Sequence, residues 1–117
     1  MMNFLEGEVI YLNKPYGMSS FGALARIRYL ISKKIGVKRV KTGHAGTLDP
    51  LATGVLILCT GKKTKELDKM LYHSKEYTAT LQLGATTPSV DRVHTVDHKY
   101  PTAHMTREQI EETLKQF

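Results

Sequence analysis

At 117 residues the chain can form one modest hydrophobic core but not two full domains. Hydrophobic residues make up 41% and charged residues 24%, a balance that excludes wholesale disorder. A single cysteine excludes an intramolecular disulfide, and no apolar run is long enough to cross a bilayer. Because no basic segment followed by an apolar stretch opens the chain, no signal peptide is predicted either, and we expect a cytoplasmic protein.

Positive charge is concentrated in the first half of the chain. Residues 9–65 carry eleven basic side chains and one acidic side chain, whereas residues 66–117 carry six basic and eight acidic ones. Clustered Lys and Arg bind polyanions because they displace counterions from phosphates. The net charge of +6 therefore favours nucleic acid as the partner, with a merely solubilising surface as the alternative.

The first half of the chain predicts a strand, a helix and a second strand. Residues 8–12 read as a short strand that ends at a turn containing proline and glycine. Ser19 or Ser20 then caps a helix whose apolar positions recur every three or four residues, and Gly36 ends it. The uninterrupted apolar run 55–59 lies between two glycines, which predicts a strand buried on both faces at the centre of a sheet.

The second half predicts shorter elements. Residues 64–71 favour a short helix, residues 76–83 alternate like a half-buried strand, and residues 93–98 favour another strand. Thr106 and Gln109 match a capping box at the start of a helix whose apolar spacing continues to Phe117. Because this helical pattern has no capping residue at its end, we expect the chain to be truncated.

Asp49 carries the strongest chemical signal. It is the one acid of the basic stretch, and we expect it to be a carboxylate near neutral pH. Pro50 biases it towards an extended loop conformation, and flanking glycines permit tight turns. A carboxylate on a phosphate-binding surface indicates chemistry, as a nucleophile, a general base or a metal ligand. Capping of a turn, or pairing with Lys14 or Arg39, is the structural alternative.

Three segments resemble successive motifs of the TruB family of tRNA pseudouridine synthases: residues 13–20, 43–56 and 75–84. The likeness covers nearly the whole chain, and the twelve consecutive positions 43–54 are its most specific part. It implies an α+β fold with a mixed, mainly antiparallel sheet and flanking helices. Residues 1–117 would form the N-terminal portion of the catalytic domain, without the remainder of that domain, its arginine partner for the aspartate, or the C-terminal PUA domain.

The resemblance implies isomerisation of a T-loop uridine of tRNA, position 55, to pseudouridine. The partner would be the T-stem-loop, the protein a monomer, and neither cofactor nor metal would be needed. Asp49 would act as the nucleophile, at ribose C1′ or at the base. A guide-RNA-dependent synthase similar to dyskerin and an RNA-binding fragment without activity are the alternatives.

The resemblance also implies roles for other side chains. Tyr77 would stack on the flipped uracil and help to move the C5 proton, although an inward strand aromatic is its structural alternative. His44 would hold the flipped-out loop, and Lys14 would brace the nucleophile loop or reach a phosphate. Further substrate contacts would come from Gly43, Gly46, Thr47 and Leu48. The basic side chains of the helix and the connector after it would contact the RNA backbone: Arg26, Lys33, Lys34, Lys38, Arg39 and Lys41.

Overall fold

The computed structural model describes residues 1–117, which divide into two units, Met1–Glu76 and Tyr77–Phe117. The first unit contains β1 (Val9–Lys14), α1 (Ser20–Ile35), β2 (Thr42–Ala45), β3 (Gly54–Thr60), a 3-10 helix (Gly61–Glu66) and α2 (Leu67–Leu71). The second contains β4 (Ala85–Thr86), β5 (His98–Lys99) and α3 (Arg107–Leu114). All strand pairs are antiparallel, which confirms the predicted α+β class. None of the helices has the length and apolarity needed to cross a membrane.

The sheet of the first unit has the order β1-β3-β2. Lys14 at the end of β1 lies opposite Gly54, and Ala45 at the end of β2 lies opposite Ile57. The apolar run 55–59 is therefore the central strand, as predicted. Its predicted burial on both faces is only partly right, because Leu56 and Leu58 are buried while Val55 is 68% exposed. Successive side chains of a strand point to opposite faces of the sheet. Helix α1 covers the face to which Leu56 and Leu58 point.

The core of this unit lies between α1 and that covered face. Ala23 and Leu24 of α1 pack against Leu56 and Leu58 of β3, and all four are at most 4% exposed. Complete burial of one leucine side chain contributes about 1.5–3 kcal/mol, so this small cluster is a main source of the unit's stability. The helix has the predicted limits, since Ser19 caps its start and Gly36, at φ 73°, ends it.

The second unit differs most from the sequence predictions. Residues 76–83 form no strand, and residues 93–98 contribute only His98 to a strand, the two-residue β5. An alternating pattern forms a strand only where a neighbouring strand supplies hydrogen bonds and a core, and none pairs with residues 76–83. Leu81 instead lines a cavity of about 1110 Å³ beside α3. The capping box of α3 is confirmed.

Candidate active site

The loop that joins β2 to β3 presents Asp49 to solvent. Gly46 has φ 78°, in the left-handed region that strains residues with a side chain, and it turns the chain sharply after β2. The Ala52 N–H donates to the Asp49 carbonyl at 2.9 Å, which closes a turn with Pro50 at its second position, where proline is favoured. The turn uses the main chain of Asp49, so its exposed carboxylate is left for other partners.

No ion pair of the structure involves the Asp49 side chain. The second structural alternative, a salt bridge with Lys14 or Arg39, is therefore not formed. Lys14 bonds to main-chain carbonyls instead, and Arg39 is exposed. A carboxylate that is exposed on a loop and unpaired remains able to attack or accept a proton from a bound molecule.

The first and second sequence motifs meet at this loop. Residues from the end of β1 to the start of α1 contact the residues on either side of Asp49. The Gly17 N–H donates to the Pro50 carbonyl at 2.8 Å, and the Ser20 hydroxyl bonds to the main chain of Leu48. The two motifs thus form one local structure, although Ser20 and Leu48 are 28 positions apart in the sequence.

Lys14 is the largest fully buried side chain, at 0% exposure. Its ammonium donates to the carbonyls of Pro15 at 2.9 Å, Met18 at 2.6 Å and Pro50 at 3.2 Å, which occupies its three N–H donors. A buried charge is tolerated when hydrogen bonds replace its lost hydration. In the structure, therefore, the Lys14 ammonium is bonded to the Asp49 loop at Pro50 and does not reach solvent.

Ser20 was not singled out as a site residue by its sequence. Two adjacent serines precede the helix, but only Ser19 caps it, accepting a hydrogen bond from the Gly22 N–H at 2.9 Å. Ser20 is 2% exposed and bonds to Leu48 instead. The available signal was the second serine itself, because one helix needs only one N-cap.

His44 lies in β2, opposite Leu58 of the central strand. Its ring is half-buried, and the buried Nδ1 has no hydrogen-bond partner. The neighbouring Gly43 allows Leu67 of α2 to approach closely, since a Cβ at position 43 would lie 2.5 Å from Leu67 Cδ1. Thr47 is exposed, and Leu48 is half-buried.

The six basic side chains predicted to face RNA are all exposed, and none forms an ion pair. Arg26 and Lys33 are seven residues apart on α1 and so share one face of the helix. The connector after α1 is fixed by Val40, which is 1% exposed and whose N–H donates to the Ser32 hydroxyl at 2.9 Å. The basic residues on either side of Val40 extend into solvent: Lys38, Arg39 and Lys41.

Tyr77 and the 86–92 loop belong to the second unit. The Tyr77 side chain is 70% exposed, so its structural alternative, an inward strand aromatic, does not apply. Asp91 accepts hydrogen bonds from the Ser89 hydroxyl at 2.6 Å and the Val93 N–H at 2.9 Å. The Ser89 bond, more than the Val93 bond, lowers the pKa of the Asp91 carboxyl. Through these hydrogen bonds Asp91 stabilises the conformation of the loop in which it lies.

Comparison with known proteins places the chain in a family of RNA-modifying enzymes. Residues 33–117 match the model of the TruB family pseudouridylate synthase N-terminal domain. A tRNA pseudouridine synthase B of Bacteroides thetaiotaomicron is 61% identical over 116 residues, covering 99% of this chain and 48% of the relative. The Bacteroides fragilis protein of that name is 60% identical (99% and 50% covered), and the Flavobacterium johnsoniae protein is 50% identical (97% and 50% covered).

The chain therefore belongs to the TruB family, in which it corresponds to the N-terminal part. It spans about half the length of the curated relatives it matches.

Proposed function

We propose that the protein converts a uridine of tRNA to pseudouridine, at position 55 of the T loop, with Asp49 as the nucleophile. The observation that carries this proposal is the exposed, unpaired Asp49 carboxylate on a loop whose two neighbouring peptides are anchored. The names of the relatives, tRNA pseudouridine synthase B, support the reaction and the tRNA substrate. The basic surface supports an RNA partner.

The proposed reaction is a rearrangement that conserves atoms and electrons. The bond from ribose C1′ to uracil N1 breaks, the base turns, and a bond from C1′ to C5 forms. The proton on C5 is lost and N1 gains one, so the balance needs neither an oxidant nor a metal. Asp49 would attack C1′ or the base, and Tyr77 would help to move the C5 proton.

An anchored loop suits this role because a nucleophile reacts fast only when it is held close to its attack geometry. The target nucleotide must first leave its stack, at a cost of about a few kcal/mol. We propose that His44 helps to hold the flipped-out loop by stacking or hydrogen bonding. For Lys14 we propose the bracing role, because its three hydrogen bonds leave no donor for a phosphate.

We also propose that residues 1–117 form the N-terminal portion of a longer catalytic domain. The N-terminal family match and the 48–50% coverage of the relatives support this proposal. The arginine partner of Asp49 and the PUA domain implied by the resemblance would then lie in the remaining half. Activity is accordingly proposed for the full-length protein.

A tritium-release assay tests the proposed reaction, because replacement of the C5 proton frees tritium from uridine labelled at C5. We expect the full-length protein to release tritium from a T-loop hairpin, and the 117-residue form to release none. The control is a hairpin in which cytidine replaces the target uridine. No release by the full-length protein, or equal release from both hairpins, would contradict the proposal.

Replacing Arg26, Lys33 and Lys34 with Ala should flatten the salt dependence of RNA binding. Each lost phosphate contact lowers the slope of log K against log salt by about 0.7–0.9, so the triple variant should lose about 2–3 units. The measurement is a series of binding isotherms of the full-length protein with the T-loop hairpin at several salt concentrations.

The matched control replaces three exposed basic residues of the second unit, Arg92, Lys99 and Lys115, with Ala. Both triple variants lose the same formal charge, so a difference between their slopes reports on α1 itself. An unchanged slope in the α1 variant would remove that helix from the interface.

A further inference from the structure

The Ser20 hydroxyl makes two hydrogen bonds to one residue. Its Oγ donates to the Leu48 carbonyl at 2.9 Å and accepts from the Leu48 N–H at 2.8 Å. A hydroxyl has one donor and two acceptor sites, so this pairing uses its single proton. Ser20 is 2% exposed, and water is therefore not available to replace it. Both main-chain polar groups of the residue before Asp49 are thus fixed by one side chain.

The residue after Asp49 is held from the same segment of the chain. The Pro50 carbonyl accepts from the Gly17 N–H at 2.8 Å and from the Lys14 ammonium at 3.2 Å. The residues on both sides of Asp49 are therefore held by hydrogen bonds, and none of these bonds involves its carboxylate. This arrangement holds the main chain on both sides of Asp49 and leaves its carboxylate free of hydrogen bonds within the structure.

We infer that Ser20 is a positioning residue for Asp49. It acts through the main chain of Leu48 and sets where the carboxylate stands relative to the target nucleotide. This inference rests on the proposed function, because it assigns Ser20 to the same reaction. Displacement of a reacting group by about 1 Å can cost about 100-fold in rate, so loss of the Ser20 bonds should appear mainly in the chemical step.

Ser19 provides a matched control in the adjacent position. It is exposed and caps α1 through the Gly22 N–H, without a bond to the Asp49 loop. Ser19→Ala and Ser20→Ala each remove one hydroxyl from the start of the same helix. A purely structural role for Ser20 would make the two variants differ only in stability.

The experiment measures single-turnover tritium release by the full-length protein at saturating enzyme, together with Kd for the T-loop hairpin. For Ser20→Ala we expect a rate constant about 100-fold lower and a Kd within about twofold of the parent. Ser19→Ala should keep the parent rate constant within about threefold, per folded molecule, even where its melting temperature falls. Ser20→Thr retains the hydroxyl and should recover at least about tenfold of the lost rate.

Amide hydrogen exchange gives a readout that is independent of activity. Ser20→Ala should accelerate exchange of the Leu48 amide while the Ala45 amide in β2 keeps its protection. If Ser20→Ala does not fold, Ser20→Cys replaces it, since the thiol has similar size and hydrogen-bonds weakly. A parent-like rate in the folded variant, a Thr variant no faster than Ala, or unchanged Leu48 exchange would each overturn the inference.

The outcome is separable from that of the proposed function. Turnover retained by Asp49→Asn would contradict the nucleophile itself, whatever Ser20 does. An inactive Asp49→Asn together with a fully active Ser20→Ala would leave the proposed function intact and overturn only the positioning role.

Discussion

Asp49→Asn in the full-length protein is expected to lower the single-turnover rate of pseudouridine formation by about 10⁴-fold or more. The amide has nearly the same shape but lacks the nucleophilic oxygen, and the exposed loop position requires no repacking. RNA affinity should stay within about twofold, because a carboxylate repels phosphates more than it binds them. Tritium release and a binding isotherm on the same T-loop hairpin measure both quantities.

The matched control is Asp68→Asn, which makes the same change at an exposed position of α2. This variant should keep the parent rate. Turnover retained by Asp49→Asn would exclude Asp49 as the nucleophile, and a similar loss in both variants would trace the effect to net charge.

Lys14→Met is expected to reduce the free energy of unfolding by about 3 kcal/mol, one of the largest single-residue effects in the chain. The substitution keeps a long apolar side chain but leaves three carbonyls without their ammonium donor. Relief of the desolvation of a buried charge offsets part of that loss. Urea denaturation followed by circular dichroism measures the free energy of unfolding of the variant and of the parent.

Lys38→Met serves as the comparison, because Lys38 is exposed on the connector. Surface substitutions of this kind usually change stability by no more than about 0.5 kcal/mol. Equal unfolding midpoints for the Lys14 and Lys38 variants would show that the buried hydrogen bonds add nothing to stability.

The sequence predicts an element well where the residues that define it lie within that element or directly beside it. The α1 limits follow from Ser19 and Gly36, and the central position of β3 follows from its apolar run. Residues 76–83 show the opposite case. Their alternating pattern predicts which side chains would share a face of a sheet, but it does not show whether a neighbouring strand is present to pair with them. Strand formation depends on a partner, whereas helix hydrogen bonds are internal to the helix.

The candidate site divides in the same way. Exposure of Asp49 on a loop follows from the residues beside it, Pro50 and Gly46. Burial of Lys14 does not, because a lysine in a polar segment is ordinarily solvated. The acceptors of Lys14 and Ser20 in the loop lie 36 and 28 positions further along the chain, so only the folded arrangement brings them together.

The anchors of the Asp49 loop all end on main-chain atoms, whether the donor is Gly17, Lys14 or Ser20. Apart from the N–H that proline lacks, main-chain atoms are common to all amino acids, so these bonds use none of the exposed side chains of the loop. The exposed Thr47 can therefore be replaced without loss of any of these bonds.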